Sequence, residues 1–120
     1  MSKYIDGFVI PIAKENVEKY REMAQKAGEI FKEHGALEFY ECVGDDLEVE
    51  NMLSFKTTAG AASDETVIFS WIVYESREHR DRVNEIVMND SRLKEDMEAC
   101  KHLFDFKRMA YGGFKTLVIL

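Results

Sequence analysis

Between Lys107 and Thr116 the chain reads Lys-Arg-Met-Ala-Tyr-Gly-Gly-Phe-Lys-Thr, and several of these residues are of types that do chemistry. Arg108 carries a planar fork of donors that can grip a carboxylate or phosphate bidentately. Tyr111 brings a phenol hydroxyl beside Gly112 and Gly113, which in a strand leave both faces without a Cβ at one rung. The alternation of a strand puts Arg108 on the face of Ala110 and Gly112. A small molecule held in the notch, flanked by Tyr111 and Arg108, is one reading of the pattern. Trp71 and Phe8 are candidate walls of the same cavity. The plainer reading makes the glycine pair a bulge or bend, with φ > 0 at one of them. It makes Arg108 one half of an ion pair, with Asp6 or Glu41 as candidate partners.

The remaining reactive residue types form no known constellation. His34, His79 and His102 share no metal-ligand spacing and read as structural residues, with His34 closing a helix where the dipole favours a cation. Cys42 and Cys100 form neither a CxxC pair nor a disulfide framework, and each sits in an apolar pattern that suits a buried free thiol. The acidic stretch Asp45, Asp46, Glu48 and Glu50 lacks the central glycine of a calcium loop and reads as solvated surface. With no phosphate-binding glycine loop, triad or paired-carboxylate motif, the expectation is no metal and no cofactor, and no catalytic residue is singled out.

The elements that must position these residues are legible from periodicity. Tyr4 to Ile12 is rich in β-formers and contains Pro11, which suits a strand end or edge. Val17, Tyr20, Ala24, Ala27, Phe31 and His34 recur at intervals of three and four, predicting a helix from Asn16 as N-cap to Gly35 as C′ residue. Leu37 to Val43 predicts a second strand, stopped by Gly44-Asp45-Asp46. Thr66 to Tyr74 predicts the strongest strand. Ser76 then caps a helix bearing Val83, Ile86 and Val87, and Asp90 caps a shorter one bearing Leu93, Met97 and Cys100. A last strand is predicted from about Phe106 to Val118. The order β-α-β-β-α-β is the ferredoxin-like unit, an α+β fold with an antiparallel sheet. Gly44 to Ser63 is too long for a hairpin, and Met52 to Thr57 within it suits a short strand or turn.

With 120 residues the chain is sized for one domain spanning 1–120. Its 46% hydrophobic and 32% charged residues are those of a globular protein. A net charge of −7 with no basic stripe argues against nucleic acid. No apolar run approaches the ~20 residues of a membrane helix, and the start lacks a signal-peptide pattern, so a cytoplasmic protein is expected.

One feature demands a partner. A ferredoxin-like sheet carries helices on one face, yet the third strand is largely apolar on both: Val67, Phe69, Trp71 and Val73 against Thr66, Ile68, Ser70, Ile72 and Tyr74. A second copy about a two-fold axis covers such a face at least cost, which predicts a homodimer with Phe69 and Trp71 at its interface.

Tyr4-Ile-Asp-Gly-Phe-Val9, Glu41-Cys-Val-Gly-Asp-Asp46, Asp64-Glu-Thr-Val-Ile-Phe-Ser-Trp-Ile72, Val87-Met-Asn-Asp90 and Lys107-Arg-Met-Ala-Tyr-Gly-Gly-Phe114 span nearly the whole chain. Together they resemble the YbaA-like family of bacterial proteins, whose members are of unknown function. The resemblance implies the dimeric α/β-barrel, two ferredoxin-like subunits joined through their sheets. That superfamily includes cofactor-independent monooxygenases, haem-degrading enzymes, small isomerases and proteins without known chemistry, so fold alone selects no reaction. Where family members commonly have Pro-Phe-Asp-Gly, this chain has Leu103-Phe104-Asp105-Phe106, which favours a wider loop than a Pro-Gly turn. The resulting expectation is a cytosolic homodimer that binds a small aromatic or acidic molecule between sheet and helices. The alternatives are a cofactor-independent oxygenase or isomerase in which Arg108 or Tyr111 polarises the substrate, and a dimerising module with no ligand.

Overall fold

The computed structural model describes residues 2–120. Four strands form one antiparallel sheet: β1 (Tyr4–Ala13), β2 (Glu38–Val43), β3 (Glu65–Tyr74) and β4 (Ala110–Lys115), in the order β2-β3-β1-β4. Helices α1 (Val17–Glu33), α3 (Arg77–Met88) and α4 (Ser91–Cys100) cover one face, and a single turn of helix, α2 (Phe55–Ala59), lies in the segment between β2 and β3. The ferredoxin-like reading of the sequence holds.

The local signals act largely as their chemistry requires. Ser76 Oγ accepts from the backbone N–H of His79 at 3.1 Å, and Asp90 Oδ1 from that of Arg92 at 2.9 Å, each satisfying a donor that the first helical turn leaves open. Gly35 ends α1 at φ +117°, where a Cβ would be strained. Asn16 occupies the N-cap position of α1 but does not cap it; its Nδ2 donates to the Leu103 carbonyl at 3.2 Å and ties the helix start to the distant loop. Pro11 lies in the part of β1 beyond Val9, the last residue that pairs with β4, so its missing N–H faces no strand.

Three expectations change. Met52–Thr57 is neither strand nor plain turn: Ser54 Oγ accepts from Lys56 N at 3.1 Å and starts α2, which Gly60 closes at φ +69°. The last strand begins at Ala110 rather than Phe106, because Asp105 Oδ1 accepts from Lys107 N and winds Phe106–Arg108 into a 3-10 turn. The loop is therefore compact although the Pro and Gly are missing. The glycine pair forms no bulge: β1 and β4 pair in unbroken register, with Gly7 opposite Gly112 and Asp6 opposite Gly113, and neither Gly112 nor Gly113 has positive φ.

Alternation sorts the sheet into two faces. The helix-covered face carries Asp6, Phe8, Ile10, Ser70, Ile72 and Tyr111; the outer face carries Ile5, Val9, Tyr40, Phe69, Trp71 and Phe114. Under the helices the core divides into two clusters, one around Ile72, Tyr74, Val83 and Val87, the other around Ile10, Ile12, Tyr20 and Ile68. On the outer face α2 packs over one end, setting Phe55 edge-on to Phe69 at 5.9 Å between ring centroids. Val67 and Pro11 are buried at that end. The rest of the face is bare, and Tyr40, Phe69 and Phe114 stand exposed there.

Candidate functional site

Where the core divides, a cavity of about 450 Å³ opens between the sheet and helices α1, α3 and α4. A volume of this size suits a drug-sized ligand. Its floor is Phe8, Ile10 and Ile72; its roof includes Met23, Ala27 and Phe31 of α1 and Leu93 and Met97 of α4. The segment after α4 closes one side with Phe104, Phe106 and Met109. Three carboxyls, Asp6, Glu41 and Asp96, interrupt this apolar lining.

The first is Asp6, which is only 1% exposed. A carboxylate so buried needs compensation. Arg80 of α3 donates from Nη1 to Asp6 Oδ1 at 2.6 Å, and the Tyr111 hydroxyl donates to Oδ2 at 3.2 Å. The same Nη1 lies 2.9 Å from the Tyr111 oxygen, and Nη2 reaches the Tyr4 hydroxyl at 3.4 Å. The guanidinium also sits over the Tyr4 ring, 4.9 Å from its centroid. Burial nonetheless pushes the Asp6 carboxyl above its ordinary pKa, opposed by Arg80 and by hydrogen bonds from Tyr111 and its neighbours. Tyr111 stacks on Phe8 at 5.0 Å, which aims its ring along the cavity floor.

The second group is Glu41 of β2. Its Oε1 accepts from the Tyr20 hydroxyl at 2.8 Å, and Ser70 is its register partner on β3. Burial raises the Glu41 pKa, against the pull of the two hydroxyls. Among the described residues no Lys, Arg or His lies within ion-pair distance of it. Asp96 of α4 adds a third carboxyl to the lining; its Oδ2 is buried without a hydrogen-bond partner, and burial raises its pKa too.

Residues 3–106 match the family described as "Protein of unknown function (DUF1428)". The chain belongs to the DUF1428 family. It is 44% identical over 116 residues to "Uncharacterized protein YbaA" of Escherichia coli K12, covering 97% of each chain, and equally so to the protein of that name from Shigella flexneri. The YbaA-like resemblance read from the motifs is thus correct. Among solved structures the fold is similar to SnoaB, a cofactor-independent oxygenase from Streptomyces nogalater, with a TM-score of 0.63 at 9% identity over 98% of this chain and 96% of that one. A putative antibiotic biosynthesis monooxygenase from Nitrosomonas europaea superposes with a TM-score of 0.61 at 10% identity, covering 96% of this chain and 90% of that one. A dimeric ferredoxin-like protein from an uncultured marine organism gives 0.56 at 9% identity, covering 100% of this chain and 98% of that one. At such identities the likeness is one of fold.

Four of the candidate residues named from the sequence, Phe8, Trp71, Tyr111 and Gly112, border one apolar depression of about 550 Å³ on the outer face of this DUF1428 member, and Arg108 and Gly113 lie apart from it. Phe8 and Tyr111 also line the cavity under the helices. Trp71 and Gly112 lie on the outer face, where a Cβ on Gly112 would meet only the Phe114 ring, at 3.9 Å. Gly113 faces inward under Tyr4: a Cβ there would collide with the Tyr4 hydroxyl and lie 2.8–2.9 Å from its ring carbons. Arg108 is not on the strand at all. From the 3-10 turn it grips Glu65 bidentately, at 2.9 and 2.7 Å, and donates to the Gly60 carbonyl at 2.8 Å. Neither Asp6 nor Glu41 is its partner, and Arg108 does not line the cavity. Asp6 and Glu41 entered the sequence reading only as ion-pair candidates, and Asp96 was not singled out. The available signal was phase: Asp6 and Glu41 fall on the strand face that also carries Ile10 and Phe39.

Glu33, His34 and Asp90 gather their ligand atoms within 4.8 Å of one another on the surface. Arg92 already sits among them, with Nη2 2.7 Å from Asp90 Oδ2 and Nη1 3.4 Å from Glu33 Oε1, and supplies the positive charge. His34 Nε2 lies 2.9 Å from Asp90 Oδ2, in keeping with a structural histidine. Among the described residues no helix is long and apolar enough to cross a membrane.

Proposed function

We propose that this DUF1428 protein binds a small, largely apolar molecule in the cavity between its sheet and helices, as a homodimer joined through the outer sheet face. The observation that carries this reading is the cavity itself, an apolar chamber of about 450 Å³ into which Tyr20–Glu41 and Asp6–Tyr111 present polar atoms. A filled core would have packed this space with side chains. The bare aromatic outer face supports the dimer, as does the likeness in fold to a protein described as dimeric. The free thiols of Cys42 and Cys100 suit a reducing compartment such as the cytoplasm.

Filling the cavity tests the assignment. With 1-naphthylmethanol as a neutral probe, calorimetry on the wild type should show saturable binding. Ala27→Phe should weaken it at least tenfold while the protein still melts cooperatively. Undiminished binding in that variant places the probe elsewhere and removes the reading.

A second, catalytic reading is favoured by one observation, the carboxyls whose pKa burial raises. Such a group accepts a proton near neutral pH more readily than an exposed carboxylate. Glu41 is then a general base acting on a ligand O–H or C–H, with the apolar walls excluding water. Turnover of a hydroxylated arene by the wild type, lost in Glu41→Gln with binding retained, is the outcome this reading requires.

A further inference from the structure

The charge inventory of the cavity narrows its ligand. Three carboxyls line it, Asp6, Glu41 and Asp96, and among the described lining residues there is no Lys, Arg or His. Asp6 is neutralised from behind by Arg80, whose side chain is 12% exposed and whose donors are already taken by Asp6, Asp81, Tyr111 and Tyr4. Glu41 has a hydroxyl partner and no cation. Asp96 Oδ2 has no hydrogen-bond partner; the one cation acting on this carboxyl, Lys26, lies outside the cavity lining. Two carboxyls thus belong to a lining that itself holds no cation: Glu41, met only by neutral hydroxyls, and Asp96, whose unpaired buried Oδ2 is the costly one. An acidic ligand would add to the repulsion. A ligand bearing a positive charge and N–H donors would relieve it.

The walls point the same way. Aromatic faces attract cations through their quadrupole, and thioethers are polarisable and adaptable in shape. Phe31, Phe39 and Tyr20 line the cavity together with Met23 and Met97, as do Glu41 and Asp96. We infer that the cavity selects a lipophilic cation, an aromatic or polycyclic amine whose ammonium group sits between Glu41 and Asp96 and whose rings lie on the aromatic and methionine lining. The inference rests on the reading of the cavity as a ligand site, and it reverses the sequence-based expectation of an acidic ligand gripped by arginine.

Three probes of one shape separate the possibilities: 1-naphthylmethylamine, 1-naphthylmethanol and 1-naphthoate, titrated calorimetrically into the full chain at neutral pH. The amine is expected to bind at least tenfold more tightly than the alcohol, and the carboxylate most weakly. Glu41→Gln keeps an oxygen for the Tyr20 hydroxyl and should bring the amine down to the affinity of the alcohol measured on the same variant. Asp96→Asn provides the same comparison should Glu41→Gln fold poorly. Equal binding of amine and alcohol, or tightest binding of the carboxylate, overturns the cation assignment and leaves the ligand site standing. An amine preference that survives in both variants overturns the assignment as well. Failure of all three probes to bind overturns the ligand site and the cation assignment together.

Discussion

Gly112 and Gly113 show how much one residue's surroundings decide. The two are adjacent, both extended and both without positive φ, so neither is required by its backbone conformation. Space distinguishes them. Nothing closer than the Phe114 ring at 3.9 Å meets a Cβ on Gly112, whereas one on Gly113 strikes Tyr4, held in place by Arg80. Gly113→Ala should therefore cost about 1–3 kcal/mol through overpacking, while Gly112→Ala should stay within about 0.5 kcal/mol of wild type. Urea denaturation of the two variants checks the contrast, and equal effects would contradict it. That a rung without Cβ atoms exists on both faces was legible in the sequence. Which face is crowded was not, because Tyr4 arrives from the other end of the chain.

At the scale of elements, the long helix, the strands and two of the caps could be read because each rests on a local signal: a period, or a hydroxyl or carboxylate followed by helical spacing. Short pieces escaped. The five residues of α2 and the three of the Phe106–Arg108 turn are too few to show a period. Missing that turn put Arg108 on the strand and gave it the wrong partners. Its actual partner sets an acid dependence. Arg108 and the Ala62 N–H hold Glu65 down to a pKa of about 2, from 4.5 in an unstructured chain. A carboxyl whose pKa is depressed on folding stabilises the fold above its unfolded pKa, and that contribution fades as pH falls from about 4.5 toward about 2. The urea midpoint of wild type should fall across this window more than that of Glu65→Gln. Because the pair is solvent-accessible, the difference should be small and shrink at high salt.

For the whole molecule, the two-sided apolar character of β3 pointed to a second copy, and the fold adds that the protein covers part of that face itself. The α2 segment shields the end near Val67, which leaves the aromatic patch around Tyr40, Phe69, Trp71 and Phe114 bare for the proposed dimer contact. Light scattering should give twice the 13.9 kDa chain mass. Phe69→Glu, which sets a charge in that patch, should halve it and shift the emission of Trp71, the single tryptophan, to the red. A wild-type monomer at micromolar concentration would remove the dimer. The cavity itself was not legible at this scale. A gap between two core clusters depends on how far α1 and α4 stand from the sheet, and no spacing of residue types encodes that distance.

Strands far apart in the sequence meet here: Lys3 N donates to Thr116 Oγ1 at 3.0 Å, and Thr116 N donates to the Lys3 carbonyl at 3.2 Å, so β1 is zipped to β4. During synthesis, then, β1 leaves the ribosome long before β4, and until β4 emerges its Tyr4–Val9 edge has no native neighbour on that side. Nor can the floor beneath Asp6 close before then, since Tyr111 arrives with that same last strand. A message that stops short of residue 110 yields a three-stranded sheet with an open, apolar central edge, the kind of surface on which nascent chains pair with one another.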